Sequence, residues 1–172
     1  MQQTELLEDQ IAGVLAANRI CSFGTVDGNK PMVRYMALFH EGLTLYLATN
    51  SKTDKVDELQ NNPNVHVLVG YDGKRSSDIL QIQARAEICK DNALRERLWN
   101  ESFKAWFQGP HDPDYVILEI KPERIEYNSA NAEPRVWQKI TATKRQRQRF
   151  YRSSAACPKP TAPTLLFCAK EV

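Results

Sequence analysis

The chain has 172 residues, 42% of them hydrophobic, and 23 Lys/Arg against 21 Asp/Glu give a net charge of +2, which fits one domain with enough apolar content for a single core. No run approaches the ~18 apolar residues of a bilayer span, and the opening MQQTELLEDQ is polar and acidic where a signal peptide is basic and then apolar, so the expectation is a cytoplasmic protein with no membrane segment. Cys21, Cys89, Cys157 and Cys168 form no Cys-x-x-Cys pair, which speaks against a zinc ribbon, a thioredoxin-type site or a secreted disulfide framework.

Leu6, Leu7, Ile11, Val14 and Leu15 recur at helical spacing and predict an opening amphipathic helix, with Thr4 as its N-cap. Three short strand-like runs follow, Ile20 to Val26, Met32 to Phe39 and Leu43 to Ala48, separated by Asp27-Gly28-Asn29 and His40-Glu41-Gly42; they read as a three-stranded meander. Ser51 and Asp54 resemble a capping box ahead of a short helix that Asn61-Asn62-Pro63 ends. Asn64 to Tyr71 is valine-rich, Tyr71-Asp72-Gly73-Lys74 is a turn, and Ile79 to Ile88 alternates, with Leu80, Ile82, Ala84 and Ala86 on one face. Asp91 caps a predicted third helix reaching about Phe107, with Leu94, Leu98 and Trp99 inward, before Gly109-Pro110 and Asp112-Pro113 break it. Tyr115 to Ile120 and Arg124 to Tyr127 complete the strands. Strands dominate and hairpins link most of them, so the expected fold is mainly β with helices, an antiparallel barrel and not a doubly wound parallel sheet.

The charge is unevenly placed. Residues 1–138 hold 15 Lys/Arg against 20 Asp/Glu, and residues 139–172 hold 8 against 1. The second segment, with Lys144, Arg145, Arg147, Arg149 and Arg152 and then Pro158, Pro160 and Pro163, has the composition of a tail, expected to be poorly ordered. A nucleic-acid arm is the weaker reading, since only Phe150 and Tyr151 offer base-stacking surface.

Neither G-x-G-x-x-G nor G-x-x-x-x-G-K-[ST] occurs, so the glycine-rich routes to phosphate have no support. Arg34 on the second strand and the junction Thr49-Asn50-Ser51-Lys52-Thr53-Asp54-Lys55 do offer cations and hydroxyls beside a helix N-terminus, whose N–H groups and dipole favour an anion. An exposed, capped helix explains the same residues equally well. Trp106 and Phe107 are each either a stacking aromatic or a core or interface one, and Trp99 is read as core. His40, His66 and His111 have no metal-ligand spacing, and His111-Asp112-Pro113-Asp114 reads as a polar turn. Cys21 is read as buried and inert.

The stretches KPMVRYMALFHEGLTLYLATNSKTDKVDELQNNPNVHVLVGYDG, ILQIQARAEI and AWFQGPHDPDYVILEIKPERIEY together resemble the pyridoxamine-phosphate-oxidase-like FMN-binding split-barrel superfamily, in its general stress protein branch, over about residues 5 to 137. The resemblance implies an antiparallel split β-barrel at residues 1–138, FMN as cofactor, and a symmetric homodimer with flavin sites at the subunit interface. It assigns the FMN phosphate to Arg34, Thr49, Thr53 and Lys55, with Asn50 in the same turn. Main-chain groups of Tyr35 and Met36 would meet the polar edge of the ring, and Trp106 would cover it from the partner subunit. The implied activity is that of a flavin-dependent oxidoreductase taking electrons from a reduced nicotinamide donor to a small acceptor. A flavin-binding stress protein without turnover, or deazaflavin or haem in the same cleft, are the alternatives. Where pyridoxamine-phosphate oxidases proper carry a lysine five residues after the strand arginine and an arginine just before the helix lysine, this chain has Phe39 and Asp54, and it lacks a C-terminal Arg-x-His. Oxidation of pyridoxamine phosphate is therefore not expected.

Overall fold

A computed structural model describes residues 2–71, 73, 78–130 and 132–139; the predicted turn at 71–74 and the tail from Ile140 onward fall largely or wholly outside them. Helix α1 (Gln2–Ala17) presents Leu7, Ile11, Val14 and Leu15 to the core and leaves Leu6 exposed, the 3.6-residue stripe of a helix that packs on one side. Thr4 lies inside this helix and not at its cap, because the helix starts at Gln2. No helix among the described residues is long and apolar enough to cross a membrane.

Strands β1 (Ile20–Asp27) and β2 (Lys30–Ala37) form a hairpin closed by Gly28 and Asn29, with Asp27 opposite Lys30. Gly28 takes the positive φ of 57° that the tight turn needs. The meander ends there. After Leu38 the chain makes a second hairpin, β3 (Phe39–Glu41) and β4 (Thr44–Asn50), which pairs with itself and not with β2. The remaining elements are α2 (Asp54–Asn61), β5 (Asn64–Val69), β6 (Ile79–Cys89), α3 (Asn92–Arg97), a 3-10 turn (Glu101–Ala105), β7 (Tyr115–Ser129) and β8 (Ala132–Gln138). The sheet order is β2-β1-β5-β6-β7-β4-β3, with β8 added on β7, and every pairing is antiparallel. Strands adjacent in sequence, β2 and β3, thus stand at opposite ends of the sheet. The crossing is fixed at Leu38, whose side chain is buried and whose N–H donates to the Arg19 carbonyl at 2.9 Å. The sheet curls into a half-barrel, the split β-barrel expected from the sequence.

Other differences follow from local chemistry. The predicted third helix is two pieces, because Asn100 leaves helical geometry and its side chain accepts the Ser102 N–H, capping the 3-10 turn. The last two predicted strands are one, β7, which carries Pro122 at a bulge opposite the Gln83–Ala84 step. Strand β8, absent from the sequence expectation, is a mostly exposed edge containing Pro134, so it lacks the apolar alternation that marks a buried strand. Its Trp137 indole N–H reaches the Glu8 carboxylate and ties the edge to α1. The alternation in β6 is reproduced residue by residue, with Leu80, Ile82, Ala84 and Ala86 buried. They join Phe23, Leu45, Leu47, Val67, Leu118 and Ile125 in the main core, where each large side chain contributes about 1.5–3 kcal/mol by burial. A second cluster of Tyr46, Phe103, Phe107, Tyr115 and Ile117 packs on the other face of β4 and β7. Trp99 belongs to it as expected, edge-on to Phe103 and Tyr115 at 5.9 and 5.4 Å between ring centroids.

Candidate functional site: a polar corner between β1, β2, β4 and α2

The hairpin register decides which way Arg34 faces. It lies opposite Phe23, which is fully buried, and residues directly opposite in an antiparallel pair share a face. A guanidinium on that face needs partners to offset its lost hydration. It finds them in Glu58 on α2 and Thr25 on β1. Arg34 Nη1 donates to Glu58 Oε2 at 3.0 Å and to Thr25 Oγ1 at 2.9 Å, and Nη2 donates to Glu58 Oε1 at 3.1 Å; the Thr25 hydroxyl donates to Glu58 Oε2. Burial alone would push the Glu58 carboxyl up, but the hydrogen bonds from Arg34 and Thr25, with the charges of Arg34 and Lys55, outweigh it and hold the group below the ordinary carboxylate range.

The junction between β4 and α2 supplies the rest. Thr53 is the N-cap of α2, yet its side chain caps nothing. Its hydroxyl donates to the Asn50 carbonyl at 2.7 Å and lies 3.4 Å from Thr49 Oγ1. Lys55 Nζ donates to the same Thr49 oxygen at 3.2 Å. Burial lowers the Lys55 pKa and the positive charge of Arg34 lowers it further, against the opposing pull of Glu58 and Asp54. The backbone N–H groups of Asp54 and Lys55 have no acceptor among the described residues, as at the open end of any helix.

Of the residues picked out from the sequence, Thr49, Thr53 and Lys55 are thus brought together, and Arg34 meets the same helix one turn along, at Glu58. Asn50 shapes the turn: its side-chain oxygen accepts the Lys52 N–H at 2.9 Å, and its carbonyl accepts from Thr53. The expected capping box does not form, because Ser51 turns to Asp114, its N–H donating to the Asp114 carbonyl at 2.7 Å and its hydroxyl to Oδ1 at 3.4 Å. Met36 shares the inward face with Arg34 and packs against the main core. Tyr35 points the other way, 82% exposed, into an open groove of about 490 Å³ that also touches Ile20, Leu68 and Tyr71. Trp106 follows the 3-10 turn and is 71% exposed; among the described residues no hydrogen bond or ring pair links it to the corner. Glu58 and Thr25 escaped the sequence reading, although Lys55 and Glu58, three apart, share a helix face.

The segment 111–114 is the expected polar turn. Asp112 accepts the N–H groups of Gln108 and Asp114 at 2.8 and 2.9 Å, Arg95 donates to its carbonyl, and His111 lies 3.1 Å from Glu96. Among the described residues no three His, Cys, Asp or Glu side chains gather closely enough to hold a metal ion. Cys21 is buried, which pushes its thiol up to about 12.

With this geometry in hand, comparison with known proteins is specific. Residues 7–129 match the family model for pyridoxamine 5'-phosphate oxidase. The chain is 39% identical over 125 residues to General stress protein 26 of Bacillus subtilis (strain 168), covering 72% of this chain and 89% of that protein. The crystal structure of General Stress Protein 26 from Bacillus anthracis str. Sterne superposes with a TM-score of 0.70 at 34% identity, over 77% of this chain and 98% of that one. A structure described as a putative pyridoxamine 5'-phosphate oxidase from Listeria innocua does so at 0.64 and 38% identity, over 70% and 97%. At fold level only, two more distant structures diverge in what they bind: one from Nostoc punctiforme is described as FMN binding (12% identity, TM-score 0.61, 77% and 96% covered), and one from Mycobacterium smegmatis as heme binding (11%, 0.65, 76% and 57%).

Proposed function

The chain belongs to the pyridoxamine 5'-phosphate oxidase family, and on that premise we propose that it is a cytoplasmic FMN-dependent oxidoreductase of the general stress protein branch, passing electrons from a reduced nicotinamide donor to a small acceptor. One observation carries the reading: Lys55, Thr49 and Thr53 converge at the open N-terminus of α2, and Arg34 is bonded to Glu58 one turn along the same helix. Two cations, two hydroxyls and unpartnered backbone N–H groups are the donor set that a phosphate dianion requires. Of the acids beside it, Glu58 is already bonded to Arg34 and Thr25, and Asp54 stands at the first position of α2. The residues present therefore fit a phosphomonoester.

In this reading Lys55 and the two threonines bind the phosphate, Arg34 adds a second charge, and the β2 backbone at Tyr35 and Met36 orients the ring. FMN, when bound, supplies hydride and electron transfer. The substrate of the family's namesake is a different matter. Phe39, at the place of the namesake's lysine, packs edge-on to Phe103 at 6.0 Å and brings no charge. A symmetric homodimer completes the proposal, with Trp106 of each subunit covering the flavin of the other. Val33, Tyr35, Ile20 and Leu68 support it: they are exposed on β1, β2 and β5, with Tyr35 and Leu68 on either side of Ser22, an apolar patch suited to a second copy.

The test is the absorption spectrum of the purified protein, followed by anaerobic addition of a reduced nicotinamide. An FMN spectrum that the donor bleaches is expected. A spectrum with a haem Soret band, or a flavin that no donor reduces, would reject the enzyme proposed here, and light scattering at the mass of one chain would reject the dimer.

A further inference from the structure

The guanidinium of Arg34 has five N–H groups in a fixed fork. Nη1 donates to Thr25 and Glu58, and Nη2 donates one hydrogen to Glu58. The Nε–H and the second Nη2 hydrogen have no partner among the described residues, and they form the other two-toothed edge of the same plane. The Glu58 side chain is only 5% exposed and that of Arg34 22%, so the acid lies beneath and the cation reaches out over it. Thr25, itself buried, fixes the pair from β1 by donating to the carboxylate and accepting from the guanidinium. Glu58 sits one turn along α2 from Lys55, whose amine holds Thr49. One short helix therefore carries both a direct donor and the group that sets the angle of Arg34.

We propose that Glu58 is the positioning residue of the anion site: with Thr25 it grips the end of the Arg34 guanidinium and so presents the Nε/Nη2 edge to the phosphate. This rests on the FMN reading above and adds a residue to it. Charge alone predicts the opposite effect, since a carboxylate beside a phosphate site repels the ligand and its removal should tighten binding. Positioning predicts that removal loosens binding, because an arginine free to swing no longer meets the anion with two bonds.

The test titrates the full-length protein, freed of flavin, with FMN and with riboflavin, which lacks the phosphate, following flavin fluorescence. Glu58→Gln keeps the shape and removes the charge; it should weaken FMN about 10- to 100-fold, the usual effect of losing a partner that orients a binding group, and leave riboflavin unchanged. Thr25→Val should give a smaller loss of the same kind, and it carries the test alone if Glu58→Gln does not fold. A general structural defect would weaken both ligands together and overturn the proposal. FMN binding by either folded variant that equals or exceeds wild type, while Lys55→Ala still weakens it, overturns the positioning role and keeps the phosphate site. Equal affinity of the wild type for FMN and riboflavin overturns the phosphate reading itself, and the role of Glu58 with it.

Discussion

Lys52 Nζ lies 2.7 Å from a carboxylate oxygen of Asp114, so the turn that opens α2 is tied to the first residues before β7. The bond raises the Lys52 pKa, but the ammonium is exposed, and such pairs add little to stability. The backbone bond from Ser51 N–H to the Asp114 carbonyl remains whatever the side chain does. Asp114→Ala should therefore leave the thermal midpoint close to wild type and lower FMN retention by loosening the Thr49–Lys55 turn. Melting curves with and without FMN separate the two effects, and a loss of stability equal in both would count against them.

Arg34→Ala removes the partner of a buried carboxylate. It should lower the unfolding free energy by about 1–3 kcal/mol, and Glu58→Gln in the same chain should restore part of that loss. A double-mutant cycle in urea reads the coupling directly; additive effects would mean that the pair does not couple.

Glu58 also predicts a pH dependence. Its carboxyl is held below the ordinary 4.5 in the folded chain, so folding favours the ionised form. That stabilisation is present above pH 4.5 and lost as pH falls through the lower folded value. Between about pH 5 and pH 3 the wild type should lose stability more steeply than Glu58→Gln, measured by denaturant titration at each pH.

Lys55 runs the other way. Its pKa is lowered by burial and then by Arg34, so the charged form is disfavoured by folding at neutral pH. Lys55→Met should raise the urea midpoint of the flavin-free protein while weakening FMN retention, the usual conflict between a binding charge and stability. A lower midpoint would show that the Lys55–Thr49 bond outweighs the burial of the charge.

Gly70 has φ of 105°, and a Cβ built there would lie 2.0 Å from the Asp78 carbonyl oxygen. Gly70→Ala should cost more than about 2 kcal/mol. Gly28, with positive φ but open space around it, should cost about 1–2 kcal/mol on the same change. Similar values for the two would show that the loop at Gly70 yields.

Legibility in the sequence followed the strength of the periodic signal. The alternation of Leu80 to Ala86 and the stripe from Leu7 to Leu15 each bury a defined face, and both are as the pattern implies. The separation of β2 from β3 was hidden because Met32 to Phe39 is continuous in composition, and only the buried Leu38 marks the crossing. Thr49, Thr53 and Lys55 stood out as donor types at a helix start. Glu58 did not, since a glutamate in a short polar helix ordinarily faces water. The hairpin register held the missing clue: a two-residue turn after Asp27 puts Arg34 opposite Phe23, and an inward arginine demands an acid.

The sheet order also has a consequence for the growing chain. Strand β4, which carries Thr49 and pairs with β3 on one side, finds its other neighbour only in Tyr115–Ile120 of β7, some seventy residues later. Until that segment leaves the ribosome, the hairpin of β3 and β4 has an unpaired edge open to other strands. The polar corner to which β4 contributes Thr49 is thus completed late in synthesis. A ligand held there would therefore load after the barrel is complete, and would not act as a template for the nascent chain.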